Sequence, residues 1–431
     1  MLKVYTILFI NCLVANISSA QYKYNDIIYD WKTVTEFTGQ TGLPDPFLKP
    51  DGTRIKSINE WLEQRKYIIA MLEHYQYGTM PPCPENVNVK ETLSEDLFNG
   101  IATGKLYTLT INRNGKTLDL HFGLIKPKGD GPFPVIIQND WQVPDPNHDK
   151  GKLQFGSLGI PNEALLEAIK RNYIYCVFNR LDLGTDISGK LLENRNNGVF
   201  LLYPEYNWGT IAAWAWGYKL IINYFEKLNF IDIEKIIVTG HSRGGKTAFC
   251  GGIFDDRIAV TAPNSSGLGG TSSHLFDELT SPGKPDQPPQ TISQHINVNP
   301  HWWTEEYYKL AGYESKAPFD AHFGKIAIAP RAFFNTHAYQ DYHANPLGAW
   351  LTCEAAKKIY KWLDVENNIA MHFRTGRHAQ SIIDWFALFD FCDKYFYNEP
   401  PSSIYDTDYD FNKINPYPWA RIPVIWELPG K

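Results

Sequence analysis

A mostly parallel β-sheet with helices on both faces, a three-layer α/β sandwich, is the fold class this sequence predicts, and three observations predict it. From Phe133 onward, short apolar runs alternate with stretches of helical periodicity. A strand that returns beside a parallel neighbour needs a crossover of that kind, usually a helix. One of the runs stops on a glycine and passes straight into a helix, as Lys235-Ile-Ile-Val-Thr-Gly-His-Ser-Arg-Gly-Gly-Lys246 followed by Thr247-Ala-Phe-Cys250. Finally, 431 residues at 43% hydrophobic and 20% charged supply a core of the size such a sheet requires.

Taken in order, the first twenty residues carry Lys3, an apolar run from Val4 to Val14 broken only by Thr6 and Asn11, and small residues Ser18 and Ala20 before Gln21. That is the pattern of a cleavable secretory signal (residues 1–20), too short to span a membrane, so the mature chain is expected to be secreted or periplasmic. Residues 21–100 are polar, aromatic and proline-punctuated, and read as an N-terminal wrap on a catalytic domain of residues 101–431. Within the wrap, Ile58 to Tyr77 has amphipathic helical spacing, with Ser57 as its N-cap. Lys105 to Ile111 and Lys116 to Ile125 read as strands whose connection contains Asn114-Gly115, a strong hairpin signal. The alternation then runs from strand Phe133–Gln138 through helix Asn162–Arg171, strand Tyr173–Phe178 and helix Thr210–Leu228 to the glycine-stopped strand. Arg331 to Asn335 and Ile369 to Arg374 read as later strands, and Ile382 to Phe396 as the closing helix. Gly269 to Pro300, with Ser281-Pro-Gly-Lys-Pro-Asp-Gln-Pro-Pro289, is an irregular insertion long enough to shape a substrate site.

Formal net charge is −6 with acids and bases intermixed, so no basic patch points to nucleic acid and no acidic tail is present. Without the leader, Cys83, Cys176, Cys250, Cys353 and Cys392 remain, an odd and widely spaced set. Cys176 and Cys250 sit in apolar contexts and read as buried thiols, while no spacing suits a structural metal. Thirteen Trp and 25 Tyr fit a sugar-stacking surface and an aromatic core equally well.

The glycine-stopped strand ends in G-x-S-x-G, formed by Gly240, Ser242 and Gly244. Flanking glycines let the backbone crowd closely enough to hold a serine strained and exposed at a helix N-terminus, the nucleophile turn of an α/β-hydrolase fold. In that fold the acid and the histidine follow the serine, in loops at the carboxyl ends of later strands. His378, in Thr375-Gly-Arg-His378 after the last strand, is the candidate base, because imidazole both accepts the serine proton and returns it. Asp341 is the only carboxylate in Thr336–Pro346, the loop after the preceding strand, and is the candidate acid. His372 lies inside the strand and reads as structural. Arg243 would place a fixed cation beside the developing oxyanion. Lys246 lies one helical turn beyond Ser242 on the same face.

Trp208-Gly-Thr-Ile-Ala-Ala-Trp-Ala-Trp-Gly217 together with Gly240-His-Ser-Arg-Gly-Gly-Lys246 resembles the glucuronoyl esterases, carbohydrate esterases that cleave esters of 4-O-methyl-glucuronic acid on xylan. Asn299-Pro-His-Trp302, Ala317-Pro-Phe-Asp-Ala-His322, Ile328-Ala-Pro-Arg331, Asp341-Tyr-His-Ala-Asn-Pro346, and His378 with Asp384–Phe391 extend the resemblance across Phe133 to Phe396 in order. It implies Ser242 as nucleophile, Arg243 as oxyanion stabiliser, Lys246 as a ligand for sugar hydroxyls, and Trp302 as a partner that stacks on or hydrogen-bonds the uronate ring. Gln290 stands where relatives use a glutamate on sugar hydroxyls, and His343 where bacterial relatives carry a tryptophan. Many members take their catalytic acid from a glutamate in a segment like Ala262-Pro-Asn-Ser-Ser-Gly267, where this chain has Ser265, so the acid role falls to Asp341, as in bacterial-type relatives.

The expectation is therefore a secreted, monomeric serine esterase of plant cell-wall carbohydrate that acts on a uronate ester and needs no cofactor. A deacetylase of acetylated xylan and a carbohydrate-binding pseudoenzyme on the same fold are the alternatives. The first demands less recognition of a carboxyl-bearing sugar, and the second would follow from the missing glutamate.

Overall fold

The computed structural model describes residues 29–141, 143, 159–276, 289–400 and 424–431. The predicted signal segment and residues 277–288 of the predicted insertion lie outside the described residues. The chain divides into two compact units, Met1–Lys32 and Thr33–Lys431.

Nine strands form one sheet: β1 Asn88–Leu97, β2 Ala102–Arg113, β3 Lys116–Pro127, β4 Phe133–Asp140, β5 Ile174–Asn179, β6 Ile231–His241, β7 Val260–Asn264, β8 Ala332–Ala338 and β9 Ile369–Arg374. Their spatial order is β1-β2-β3-β5-β4-β6-β7-β8-β9. The β1-β2-β3-β5 pairings are antiparallel and every pairing from β5 to β9 is parallel. The hairpin prediction holds to the residue, since Arg113 pairs with Lys116 and both turn residues have positive φ, 53° at Asn114 and 72° at Gly115. Strand β1 is the departure. It comes from the segment read as a wrap, and its residues Asn-Val-Lys-Glu-Thr-Leu-Ser-Glu-Asp-Leu lack apolar alternation because it is a mostly solvated edge. Lys90, Glu91, Glu95 and Asp96 make that edge unattractive to a further strand.

The α-helices of seven or more residues among those described are α1 Trp61–Leu72, α2 Asn162–Lys170, α3 Thr210–Phe225, α4 Arg243–Phe254, α5 Ile292–Val298, α6 Ala321–Ile328, α7 Pro346–Trp362 and α8 Ile382–Tyr397. Helices α2 and α8 cover one face of the sheet, where Leu165, Trp385, Leu388 and Phe389 meet Ile136, Val177, Ile237 and Phe334. The next residues along the strands point the other way, so Phe178 meets Tyr218 of α3 and Phe333 meets Phe249 of α4. The result is the three-layer sandwich. The Ile58–Tyr77 helix is present as α1 flanked by a 3₁₀ turn and a π turn, although the Ser57 side chain makes no capping bond. Cys176, Cys250, Cys353 and Cys392 are buried thiols, and Cys83 is half-buried and also free. No helix among the described residues is long and apolar enough to cross a membrane.

Candidate active site

Strand β6 delivers Ser242 at its carboxyl end, with φ 56° and ψ −117°. A serine pays about 1–3 kcal/mol for such a conformation and keeps it only where its surroundings enforce it. Here a β-carbon on Gly240 would overlap the Gly244 carbonyl, and one on Gly244 would lie 3.0 Å from Asn139 Oδ1. The Asn139 amide crosses from β4 to the Gly244 carbonyl at 2.8 Å, and the Ser242 amide donates to Asn264 O of β7 at 3.0 Å. Three parallel strands thus clamp the turn. Helix α4 starts at Arg243, so its leading N–H groups have no partner within the helix and face the serine.

Strands β8 and β9 deliver the candidate acid and the candidate base. His378 Nδ1 lies 2.7 Å from Asp341 Oδ2. The carboxylate accepts, which puts the proton on Nδ1 and leaves Nε2 as the basic nitrogen. Burial opposes charge on Asp341, yet the His378 bond, the His337 and His378 imidazoles and the Ser265 hydroxyl outweigh it and hold the carboxyl below its ordinary value. Ser265, which stands where many relatives carry the acid, is thus a neighbour of Asp341, although its buried Oγ makes no hydrogen bond of good geometry. The two loops are stitched together. Tyr339 N donates to Arg374 O at 3.0 Å and Gln340 N to Gly376 O at 3.1 Å. The Arg374 guanidinium binds Asp384 at 2.6 Å and the carbonyls of Thr375, Arg377 and Ala379 around His378. His241, beside the serine, has its ring centroid 4.4 Å from that of His378. Because Asn264 Nδ2 donates to Thr336 Oγ1 at 2.7 Å, Asn264 Oδ1 is the acceptor for His241 Nδ1 at 2.6 Å. Burial, then the charge of His378, pushes His241 down to about 4 and keeps it neutral.

On the other side of Ser242 stand the cations. Arg243 forms an ion pair with Asp186, whose Oδ1 also accepts from His301 Nε2 at 3.0 Å and Trp302 Nε1 at 2.8 Å. Burial opposes the charge on Asp186, but the His301 bond, the Arg243 charge and the Trp302 bond overcome it and hold the carboxyl at about 2. The Arg243 guanidinium sits 5.3 Å from the centre of the Trp302 ring and Lys246 Nζ sits 5.7 Å from it. Lys246 is 2% exposed and donates to Ser266 O and, at 3.3 Å, to Gln290 Oε1. Burial, then Arg243, pushes this lysine down to about 7. Gln290 completes the group, with its amide nitrogen 3.2 Å from His343 Nε2 and its backbone N–H on His343 O at 3.1 Å.

A family model described as "Glucuronyl esterase, fungi" matches residues 109–364. The chain belongs to this family. Among its relatives, a carbohydrate esterase from an unknown prokaryotic organism is 28% identical over 422 residues, covering 85% of this chain and 91% of the relative. A 4-O-methyl-glucuronoyl methylesterase of Thermothelomyces thermophilus is 27% identical over 396 residues, covering 88% and 87%. Among solved structures, a carbohydrate esterase family 15 glucuronoyl esterase from Caldicellulosiruptor kristjansonii superposes with a TM-score of 0.70 at 26% identity, covering 88% of this chain and 97% of that one. A promiscuous esterase of the same family from a marine bacterial metagenome superposes at 0.69 and 25% identity, covering 84% and 98%. Solved members of this family have an α/β-hydrolase fold, and the sheet described above is of that kind.

The fold brings all eight residues singled out in the sequence to one end of the sheet: Ser242, Arg243, Lys246, Gln290, Trp302, Asp341, His343 and His378. Trp302 differs from its expected form. It is 3% exposed, its N–H is held by Asp186, and Arg243 and Lys246 lie against its ring, so it is a platform for cations rather than an open stacking surface. Sequence reading missed Asp186 and Arg374. Arg374 ends a recognised strand, but its hold on the His378 loop depends on a carboxylate in α8. Asp186 lies 57 residues before Arg243 in an irregular loop, and nothing local distinguishes it from Asp182.

Proposed function

We propose that this glucuronyl esterase is a secreted serine carboxylesterase that cleaves esters of (4-O-methyl-)glucuronic acid in plant cell-wall glucuronoxylan or lignin–carbohydrate linkages by a Ser-His-Asp mechanism. The observation that carries it is the 2.7 Å Asp341–His378 bond beside a serine held at positive φ, with Arg243 next in the chain. Ser242 Oγ attacks the ester carbonyl carbon while its proton passes to His378 Nε2, and Asp341 stabilises the imidazolium through Nδ1–H. The negative charge that appears on the carbonyl oxygen meets Arg243 and the leading N–H groups of α4, contacts that are strongest in the transition state. Collapse breaks the C–O bond to the alcohol, which leaves with the proton from His378. Water then adds to the acyl-serine, giving a proton to His378, and the second collapse releases the uronic acid and returns that proton to Ser242. Lys246, Gln290, His343 and Trp302 surround the sugar side, and the leader in residues 1–20 supports export.

Hydrolysis of benzyl glucuronate beside acetylated xylan, with a Ser242→Ala control, tests the reading. Turnover of the glucuronate ester that vanishes in the control supports it. Acetate release alone would replace the substrate and keep the mechanism, and activity on neither would leave a sugar-binding protein.

A further inference from the structure

Three of the buried arginines invite comparison. Arg65, 8% exposed, donates to Ala327 O at 2.6 Å and pairs with Asp256 at 2.6 Å. Arg374, also 8% exposed, is bound by Asp384 and three carbonyls. Arg180 is 7% exposed, and its buried Nε has no hydrogen-bond partner. No carboxylate among the described residues lies within ion-pair distance of it, and its guanidinium rests 5.3 Å from the centre of the Trp214 ring. Asp140, the acid whose charge acts on it most, has its oxygens committed to Trp141 N at 2.7 Å and Gln138 Nε2 at 3.3 Å. Burial, offset in part by the charges of Asp140 and Asp186 and reinforced by that of Arg243, draws Arg180 below its ordinary value. A fold does not keep a desolvated cation with free donors without a reason.

Its position supplies one. Arg180 directly follows β5 and Ser242 directly follows β6, with β4 between them. Asn179 pairs with Asp140 across β5 and β4, and Gln138 pairs with Thr239 across β4 and β6, so Asn179, Asp140 and His241 form one row. Arg180 and Ser242 therefore emerge one step beyond that row, about 10 Å apart at two strand spacings. Trp214, under Arg180, has its ring centre 6.5 Å from that of Trp302, under Arg243. Arg243 is ion-paired with Asp186, whereas Arg180 forms no ion pair with any carboxylate among the described residues.

We propose that Arg180 is a second anion-binding side chain of this site and takes the carboxylate of the released uronic acid, an inference that rests on the uronate-ester reading above. The ester is neutral at its reacting carbon, while the tetrahedral intermediates and the acid product carry negative charge. An unpaired guanidinium separates the two classes, and its planar fork matches a carboxylate. It therefore favours the charged species along the path and binds the neutral ester no better.

Calorimetry on the Ser242→Ala protein, titrated with glucuronic acid and with its methyl ester, provides the test. With Arg180 present the acid is expected to bind about ten-fold tighter than the ester, and with Arg180→Met the ratio is expected to fall to about one. Arg180→Lys keeps the charge without the fork and should give an intermediate ratio. In the active enzyme, Arg180→Met should weaken inhibition by added glucuronate about ten-fold while the ester KM stays within about two-fold. A ratio between two ligands does not move with general damage, and if the Met variant fails to fold, the Arg180→Lys ratio decides: a ratio equal to that of the Ser242→Ala protein overturns the inference. Turnover of the ester with equal binding of acid and ester overturns the inference and spares the function. Absence of ester turnover by the unmodified enzyme overturns both.

Discussion

The two sides of Ser242 are built by different means. On one side, Asp341 and His378 sit in loops that directly leave β8 and β9, and backbone hydrogen bonds between those loops fix their separation. On the other, Arg243 and Lys246 are held by side chains drawn from distant parts of the chain, Asp186, His301, Trp302 and Gln290. In the proposed mechanism the first side moves protons, which requires a single distance and a single tautomer, and backbone supplies that rigidity. The second side holds charge, which requires a balance of cation against carboxylate, and a carboxylate can come from any segment that reaches. Loss of a partner should therefore be abrupt on the proton side and graded on the charge side.

The largest effect belongs to the proton side. Asp341→Asn keeps the shape but offers His378 an amide, so the imidazole loses both its enforced tautomer and the charge that stabilises its protonated form. We expect kcat to fall by on the order of 10³–10⁴ with little change in KM. Adding Ser265→Glu to that variant should recover part of the loss, because Ser265 borders the Asp341 carboxyl. A single-site loss of only a few-fold would show that Asp341 is not the working acid.

The charge side should give less. Arg243→Gln removes the proposed oxyanion donor and is expected to lower kcat about 10²–10³-fold. Asp186→Asn leaves that donor in place but frees it to wander, at an expected cost of about ten-fold in kcat and less in KM. Equal kcat for Asp186→Asn and the parent would mean that Asp186 merely stabilises the loop around it.

The same contrast explains what the sequence made legible. The serine turn is local: strand, glycine, serine and helix lie within twelve consecutive residues, and steric crowding alone demands that pattern. Asp341 and His378 lie far along the chain, but fold order restricts them to two short loops, and each loop offered few candidates. Asp186 and Arg180 had no such guide. Both lie in the irregular segment after β5, and what marks them out is an ion pair in one and an unpartnered guanidinium in the other. Strand β1 was hidden for another reason: solvated on much of both faces, it gives no period-two signal, and only its pairing with β2 reveals it.

The smallest effect tests whether Lys246 works as a cation. Its value of about 7, set first by burial, lies below the ordinary 10.5, so the ammonium is lost from the folded protein as pH rises through neutrality. Its two partners, Ser266 O and Gln290 Oε1, are both acceptors, which leaves the third ammonium proton for a sugar hydroxyl. Affinity of the Ser242→Ala protein for a neutral glucuronate ester is therefore expected to fall a few-fold, about 1 kcal/mol, between pH 6 and pH 9. Lys246→Met should bind weakly and without that slope. Gln290→Glu should move the midpoint upward, because a carboxylate in place of that amide favours the charged amine. Stability gives an independent sign. Between pH 7 and 10.5 the unfolded chain binds more protons at this lysine than the folded one, so its destabilising effect is complete below 7 and fades as pH rises. Any gain in Tm from Lys246→Met should accordingly be larger at pH 6 than at pH 9. Ester affinity that rises with pH would reverse the assignment and make the neutral amine, accepting from the sugar, the working form.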